Sequence, residues 1–335
     1  MIKSERNSTF ELLRICAMLM IVFYHVVSYY LYELPNPAHV TFYTALLPTL
    51  HIGVILFVLI SGYFGIRSTW KGLATLLSVV IIYNLPIVIY SGIKHGDWID
   101  RMMFITNTPY WFVRTYLYLY LIAPLLNILK KNWTIQERIG GLIALGAINL
   151  YFGSTQGDFS LADGKNLVNF VFLYLLGDTL RCAQTKWDRI SIVVLLGVWI
   201  IFNMVIFASL YWTSGGIINK IIMNLAFPYR SPLLIINAVL FFLIFSKLHF
   251  HSGFINHLAT SVFAVYIIHE QPVLHNIIVL PLMRRMVDVP GGGDKILLLT
   301  IGIMIVCVII DQCLFFYWRW QEKVLNNWLG RKKLY

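Results

Sequence analysis

Residues 11–25 read Glu11-Leu-Leu-Arg14-Ile-Cys-Ala-Met-Leu-Met-Ile-Val-Phe-Tyr-His25. The stretch is apolar enough to enter a bilayer, yet it carries an arginine and a histidine. Ionisable side chains at membrane depth are costly, so by default they point to function. Their spacing adds geometry. Eleven residues of helix advance about 16.5 Å and turn about 1100°, within roughly 20° of three full turns. Arg14 and His25 therefore share one helix face, one above the other. Taken singly, Arg14 reads equally well as a residue snorkelling to the headgroups, and His25 as a hydrogen-bonded bundle histidine. The shared face favours a common cavity over either.

The surrounding chain has the same solvent preference. It is 59% hydrophobic and 12% charged, with mean hydropathy +0.75. Soluble domains carry about 25% charged residues, so lipid is the main solvent here. Apolar runs of about 20 residues, each able to span about 30 Å of hydrocarbon, recur along nearly the whole length. The predicted fold is all-α, a polytopic membrane bundle of about ten helices near 10–31, 44–66, 72–93, 110–129, 138–153, 167–181, 190–211, 232–247, 258–280 and 296–318. Residues 211–231 are ambiguous and suit a re-entrant or interfacial turn. One transmembrane domain over 1–335 is expected, without an appended soluble domain. The first run is longer than a signal-peptide core and lacks a small-residue cleavage site, so it reads as a retained helix.

The net charge is +11. The basic residues sit mostly in short loops, which makes them a topology signal rather than a nucleic-acid surface. With both termini in the cytoplasm, inner segments hold sixteen Lys and Arg and outer segments eight. That bias supports ten helices with both ends in the cytoplasm. Cys16, Cys182, Cys307 and Cys313 show no C-x-x-C or Cys/His ligand spacing. Neither a disulfide framework nor a metal site is predicted.

Other polar residues recur at helix ends. The second run closes Ser61-Gly62-Tyr63-Phe64-Gly65-Ile-Arg67, with Lys71 close behind. Ser61-Gly62 suits close helix packing. Arg67, Lys71 and Arg14 lie toward one face and together suit the phosphates of a cytoplasmic ligand; a positive-inside anchor is the simpler reading. Trp111 and Arg114 open the fourth run. Aromatic faces beside a fixed donor suit a sugar ring, and an interfacial aromatic belt explains the rings equally well. The ninth run holds His269-Glu270-Gln271-Pro272, where the proline implies a kink and freed backbone groups. Pairing of Glu270 with Arg114 is the structural alternative to a functional role. Asp178 and Asp311 read as structural partners.

These residues together resemble the bacterial acyltransferase-3 family. Arg14 and His25 with ten residues between them, preceded by Arg6-Asn7 and Glu11-Leu-Leu, match its opening. So do Phe57 to Tyr63, Trp111-Phe112 through Tyr120 to Pro124, Phe172 to Gly177, and Tyr266-Ile-Ile-His269, in consistent order over nearly the full chain. The resemblance implies an inner-membrane O-acyltransferase that moves an acyl group, usually acetyl, from cytoplasmic acetyl-CoA to a glycan. Acyl-CoA enters as co-substrate, with no tightly bound cofactor. The implied acceptor is a surface or undecaprenyl-linked glycan, membrane lipids surround the chain, and a homodimer is one option for assembly.

On that basis Arg14 and His25 are the expected catalytic pair. Arg14, Arg67, Lys71, Ser61 and Tyr63 are expected around acyl-CoA. Trp111, Arg114, His269 and Glu270 are expected around the acceptor. His25 acts as general base or as acyl acceptor. Three rivals remain open from sequence: a transporter or flippase of a lipid-linked glycan, a recognition or assembly subunit without chemistry, and a polymerase of surface glycan, which the short outer loops disfavour.

Overall fold

A computed structural model of the chain describes residues 6–33, 37–95, 110–154, 162–213, 216–271, 275–287, 295–314, 317–321 and 323–324. Among them there is no strand. The helices are α1 (Ser8–Glu33), α2 (Pro37–Leu50), α3 (Gly53–Phe64), α4 (Trp70–His95), α5 (Trp111–Lys131), α6 (Ile135–Ser154) and α7 (Leu167–Cys182). They continue as α8 (Ile192–Trp212), α9 (Ile217–Ala226), α10 (Pro232–Ser246), α11 (Gly253–Leu258), α12 (Val262–His269), α13 (Leu280–Val287) and α14 (Lys295–Cys313). Six helical stretches among the described residues are long and apolar enough to cross a bilayer.

Helix fills at least part of each predicted run, and the described residues show one clear break in continuity. The second run, 44–66, is split at His51 and Ile52 into α2 and α3. In the ninth, 258–280, α12 ends at His269; the kink expected at Pro272 lies outside the described residues. A proline at 272 cannot donate its backbone nitrogen to a preceding turn and biases the residue before it away from helix. Stopping the helix there leaves Glu270 outside a regular turn. The ambiguous stretch 211–231 contains the helix Ile217–Ala226.

Helix α1 is the hub, packing against α2, α3, α10, α11, α12 and α14. Its continuity follows from composition: no proline or glycine interrupts residues 8–33. The most extensive helix pairing is α3 with α7, and two glycines explain it. A Cβ at Gly62 would lie 2.0 Å from Tyr174 O, and one at Gly177 would lie 2.3 Å from Leu59 O. Only hydrogen side chains permit that approach, and without a hydrophobic drive between helices in lipid, close backbone packing is what holds them.

Polar clamps complete the bundle. Asn203 and Asn237 exchange hydrogen bonds between α8 and α10, and Trp199 donates to Asn237 at 2.8 Å. Asp178 is fully buried in α7 and is held by Lys130 at 3.1 Å, Arg181 at 2.9 Å and Arg138. Asp311 accepts from Tyr83 at 2.6 Å and from Trp318 at 3.2 Å. Both aspartates are thus structural partners.

Gly62→Val forces a side chain into the backbone of α7, and overpacking of this kind costs about 1–3 kcal/mol or more. It is expected to lower the thermal midpoint of detergent-solubilised protein by several degrees. Gly140→Ala, at a position with nothing within 4 Å, is expected to leave that midpoint unchanged or slightly raised.

Candidate active site

The helical face foreseen for α1 is the wall of two adjoining cavities. Arg14, Met18 and Ile21 line a cavity of about 270 Å³, with Phe57, Ser61, Leu76, Tyr116 and Tyr266 among its other walls. Ile21, Tyr24 and His25 line a smaller one of about 20 Å³, closed by His51, Trp111, Tyr229, Tyr266 and Glu270. Positions 14, 18, 21 and 25 follow the spacing of a single helix stripe. Ile21 and Tyr266 belong to both cavities, so they form the partition between the Arg14 compartment and the His25 compartment.

Arg14 is 37% exposed and pairs with Glu11 at 3.2 Å, one turn earlier. The large cavity beyond it is mainly apolar. Its polar wall is a hydroxyl pair: Ser61 donates to Phe57 O at 2.9 Å and so accepts from Tyr116 at 3.1 Å. This compartment suits a slender chain of mixed polarity entering past a cation.

Two members of an ionisable cluster, His25 and Glu270, line the small compartment, and the third, His269, lies behind them. Nδ1 of His25 lies 2.8 Å from Glu270 Oε1 and 2.9 Å from Nε2 of His269. Nδ1 of His269 is 2.8 Å from the carbonyl of Val265. A carbonyl only accepts, so Nδ1 of His269 carries the proton, and in the neutral ring Nε2 is then an acceptor. The proton between the two rings therefore sits on Nδ1 of His25, shared between Glu270 and His269. In the neutral His25 ring Nε2 is then the acceptor nitrogen. Tyr29 adds a donor to Glu270 at 3.3 Å.

The elements around the cluster hold it in register. Gln271 N bonds back to Ile268 O at 3.2 Å. The Gln271 side chain donates to Asn84 at 3.3 Å, and Tyr110 donates to the same Asn84 oxygen at 3.1 Å. These buried bonds tie the end of α12 to α4 and α5. His51 stacks on Tyr24 with ring centroids 4.4 Å apart and packs against Tyr229 at 4.2 Å. Tyr229 is placed by its backbone bond to Asp163 O at 2.7 Å.

The structure brings His25, His269 and Glu270 together, with Trp111 on the cavity wall beside His25 and Glu270. His269 and Glu270, expected around the acceptor, are bonded to His25. The foreseen alternative, Glu270 with Arg114, gives way to Glu270 with His25 and Tyr29. Arg114 lines neither cavity. Ser61 and Arg14 share the large cavity, whereas Tyr63 does not reach it: its ring stacks on Phe10 at 5.1 Å and its hydroxyl donates to Gln184 at 3.0 Å. Arg67 is exposed in the loop after α3. That loop is pinned by Tyr174, which accepts from Ile66 N at 3.0 Å, and by Tyr120, which accepts from Thr69 N at 2.9 Å. Lys71 sits five residues before Leu76 of the cavity wall, about 7.5 Å along the helix.

Sequence reading missed Tyr24, His51, Tyr116, Tyr229 and Tyr266 as cavity walls. Tyr24 adjoins His25, and His51 is an ionisable residue within an apolar run, so both carried a signal. Tyr229 lies in the stretch left ambiguous and had none.

Residues 7–312 match the model of a protein family described as an acyltransferase domain, Acyl_transf_3. No curated protein matches the chain, and no solved structure does.

The tautomer assignment is testable on ¹⁵N-histidine-labelled protein. His25 is expected to show the Nδ1–H form in the wild type. Glu270→Ala is expected to shift it measurably toward Nε2–H in the nitrogen chemical shifts.

Proposed function

The chain belongs to the acyltransferase-3 family, and from that membership we propose that this membrane acyltransferase moves an acetyl group from acetyl-CoA to a hydroxyl of a surface or undecaprenyl-linked glycan. The observation that carries the reading is the alignment of Arg14, a mainly apolar cavity, the Ile21–Tyr266 partition and His25 along one face of α1.

The proposed donor enters at the Arg14 end, which the charge bias of the loops assigns to the cytoplasm. Arg14, with Arg67 and Lys71 near the same end, offers cations for the phosphates of the nucleotide. The pantetheine arm occupies the large cavity past Ser61 and Tyr116. The thioester passes between Ile21 and Tyr266 to reach His25.

At His25 the chemistry is general base catalysis. Nε2 removes the proton of the acceptor hydroxyl as the oxygen attacks the thioester carbonyl. Glu270, bonded to Nδ1–H, holds the ring in the required tautomer and stabilises the imidazolium. Collapse of the tetrahedral intermediate breaks the carbon–sulfur bond, and the imidazolium returns its proton to the departing thiolate of CoA. Direct acylation of Nε2 followed by transfer to the hydroxyl uses the same geometry. Trp111 offers a flat face for the sugar, and Arg114 lies one turn further along α5.

Purified protein incubated with labelled acetyl-CoA and envelope glycan fractions tests the reading. His25→Ala is expected to lower transfer about 10²–10⁴-fold, the range a positioned general base supplies. A folded His25→Ala protein with wild-type transfer would sink the proposal. Ile21→Trp, which fills the partition, is expected to lower kcat at least tenfold. Arg14→Ala is expected to raise KM for acetyl-CoA more than it lowers kcat.

A further inference from the structure

We propose that His25, His269 and Glu270 also form a binding site for a divalent transition cation of the Zn²⁺ class, and that the cation silences the base. The proposal adds a ligand to this cluster beyond acyl transfer, and only its inhibition arm rests on the proposed function.

The donor atoms converge. Nδ1 of His25, Nε2 of His269 and a carboxylate oxygen of Glu270 all lie within 4.8 Å of one another. The separations are 2.9 Å between the rings, 2.8 Å from His25 to Glu270 and 3.6 Å from His269 to Glu270. A tetrahedral zinc ion with bonds near 2.05 Å spaces its ligands by about 3.3 Å. Each observed separation is therefore within about half an ångström of that geometry. Two imidazoles and one carboxylate are a donor set for zinc, cobalt or iron rather than for magnesium or calcium.

The residues behind the donors are those a metal site needs. Val265 O holds the far proton of His269 at 2.8 Å, which turns the Nε2 lone pair toward the centre. Tyr29 holds Glu270 at 3.3 Å. Outer partners of this kind orient the ligands of bound metals. Three protein donors leave a fourth position, and the cavity of about 20 Å³ that touches His25 and Glu270 has room for one water molecule.

The exchange balances without redox change or net loss of a proton. The cation takes the Nδ1 lone pair of His25, and the proton held there reappears on Nε2. That nitrogen then has no lone pair for an acceptor hydroxyl. The same rearrangement that completes the metal site removes the base.

Full-length protein in detergent, stripped of metal by a chelator, tests this when titrated with Co²⁺ alone and followed by its visible absorption. One Co²⁺ per chain, displaced by Zn²⁺, is the expected result. Glu270→Gln and His269→Ala are expected to weaken binding at least tenfold. Tyr29→Phe keeps all three donors and is expected to weaken it less, so it reports on the site if a donor variant fails to fold. No Co²⁺ absorption up to millimolar concentration overturns the site, as does Co²⁺ affinity in Glu270→Gln equal to that of the wild type. Binding is read without any transfer reaction, so failure here leaves the acyltransferase reading intact. Acyl transfer that persists with Zn²⁺ bound overturns the silencing of the base.

Discussion

The hydrogen bond between His25 and Glu270 is the interaction on which the site depends. A carboxylate with only 11% of its side chain exposed, inside an apolar bundle, is stable only when its charge is met by donors. His25 and Tyr29 meet it. In return the carboxylate fixes a proton on Nδ1 of His25. Satisfying a buried charge and setting the tautomer of His25 are one event here. His269 shares in it through a proton order imposed by the carbonyl of Val265.

That arrangement needs α12 to stop at His269. Had the helix run on, Glu270 would sit in a regular turn, with its direction set by the turn rather than by His25. The helix stop, the Asn84–Tyr110–Gln271 bonds and the packing of α12 on α1 together bring residues 244 positions apart to 2.9 Å. The α3–α7 glycine crossing acts at longer range, setting how closely the helix bearing Ser61 is packed into the bundle. Fold and site therefore meet along α1, whose one face is cavity wall and whose remainder is apolar contact.

Much of this was legible in the chain. Hydrophobic runs located the helices because bilayer thickness imposes a length on any spanning element. The Arg14–His25 spacing placed both residues on one helix face because helix periodicity leaves no other option, and both residues line cavities. Ser61 was legible as a small residue next to a glycine, and it does sit in the large cavity. Tyr63 was not separable from it. Two residues along, its side chain lies on another side of α3, where it packs on Phe10. His269 and Glu270 were legible as costly residues, but their partner was not. Nothing local distinguishes a carboxylate that meets an arginine from one that meets a histidine.

What the sequence determined alone was whatever is periodic or local: a membrane bundle, the approximate helix positions and the shared face of Arg14 and His25. What the tertiary structure decided was which distant groups converge on that face. It divided the face into two compartments at Ile21 and Tyr266, it closed the smaller one with His51 and Tyr229, and it gave Glu270 to His25. The physical reason is that hydrocarbon sets lengths and patterns along each helix. The pairing of buried polar groups depends on interhelical crossings a few ångströms wide, and those arise only when all the helices pack at once.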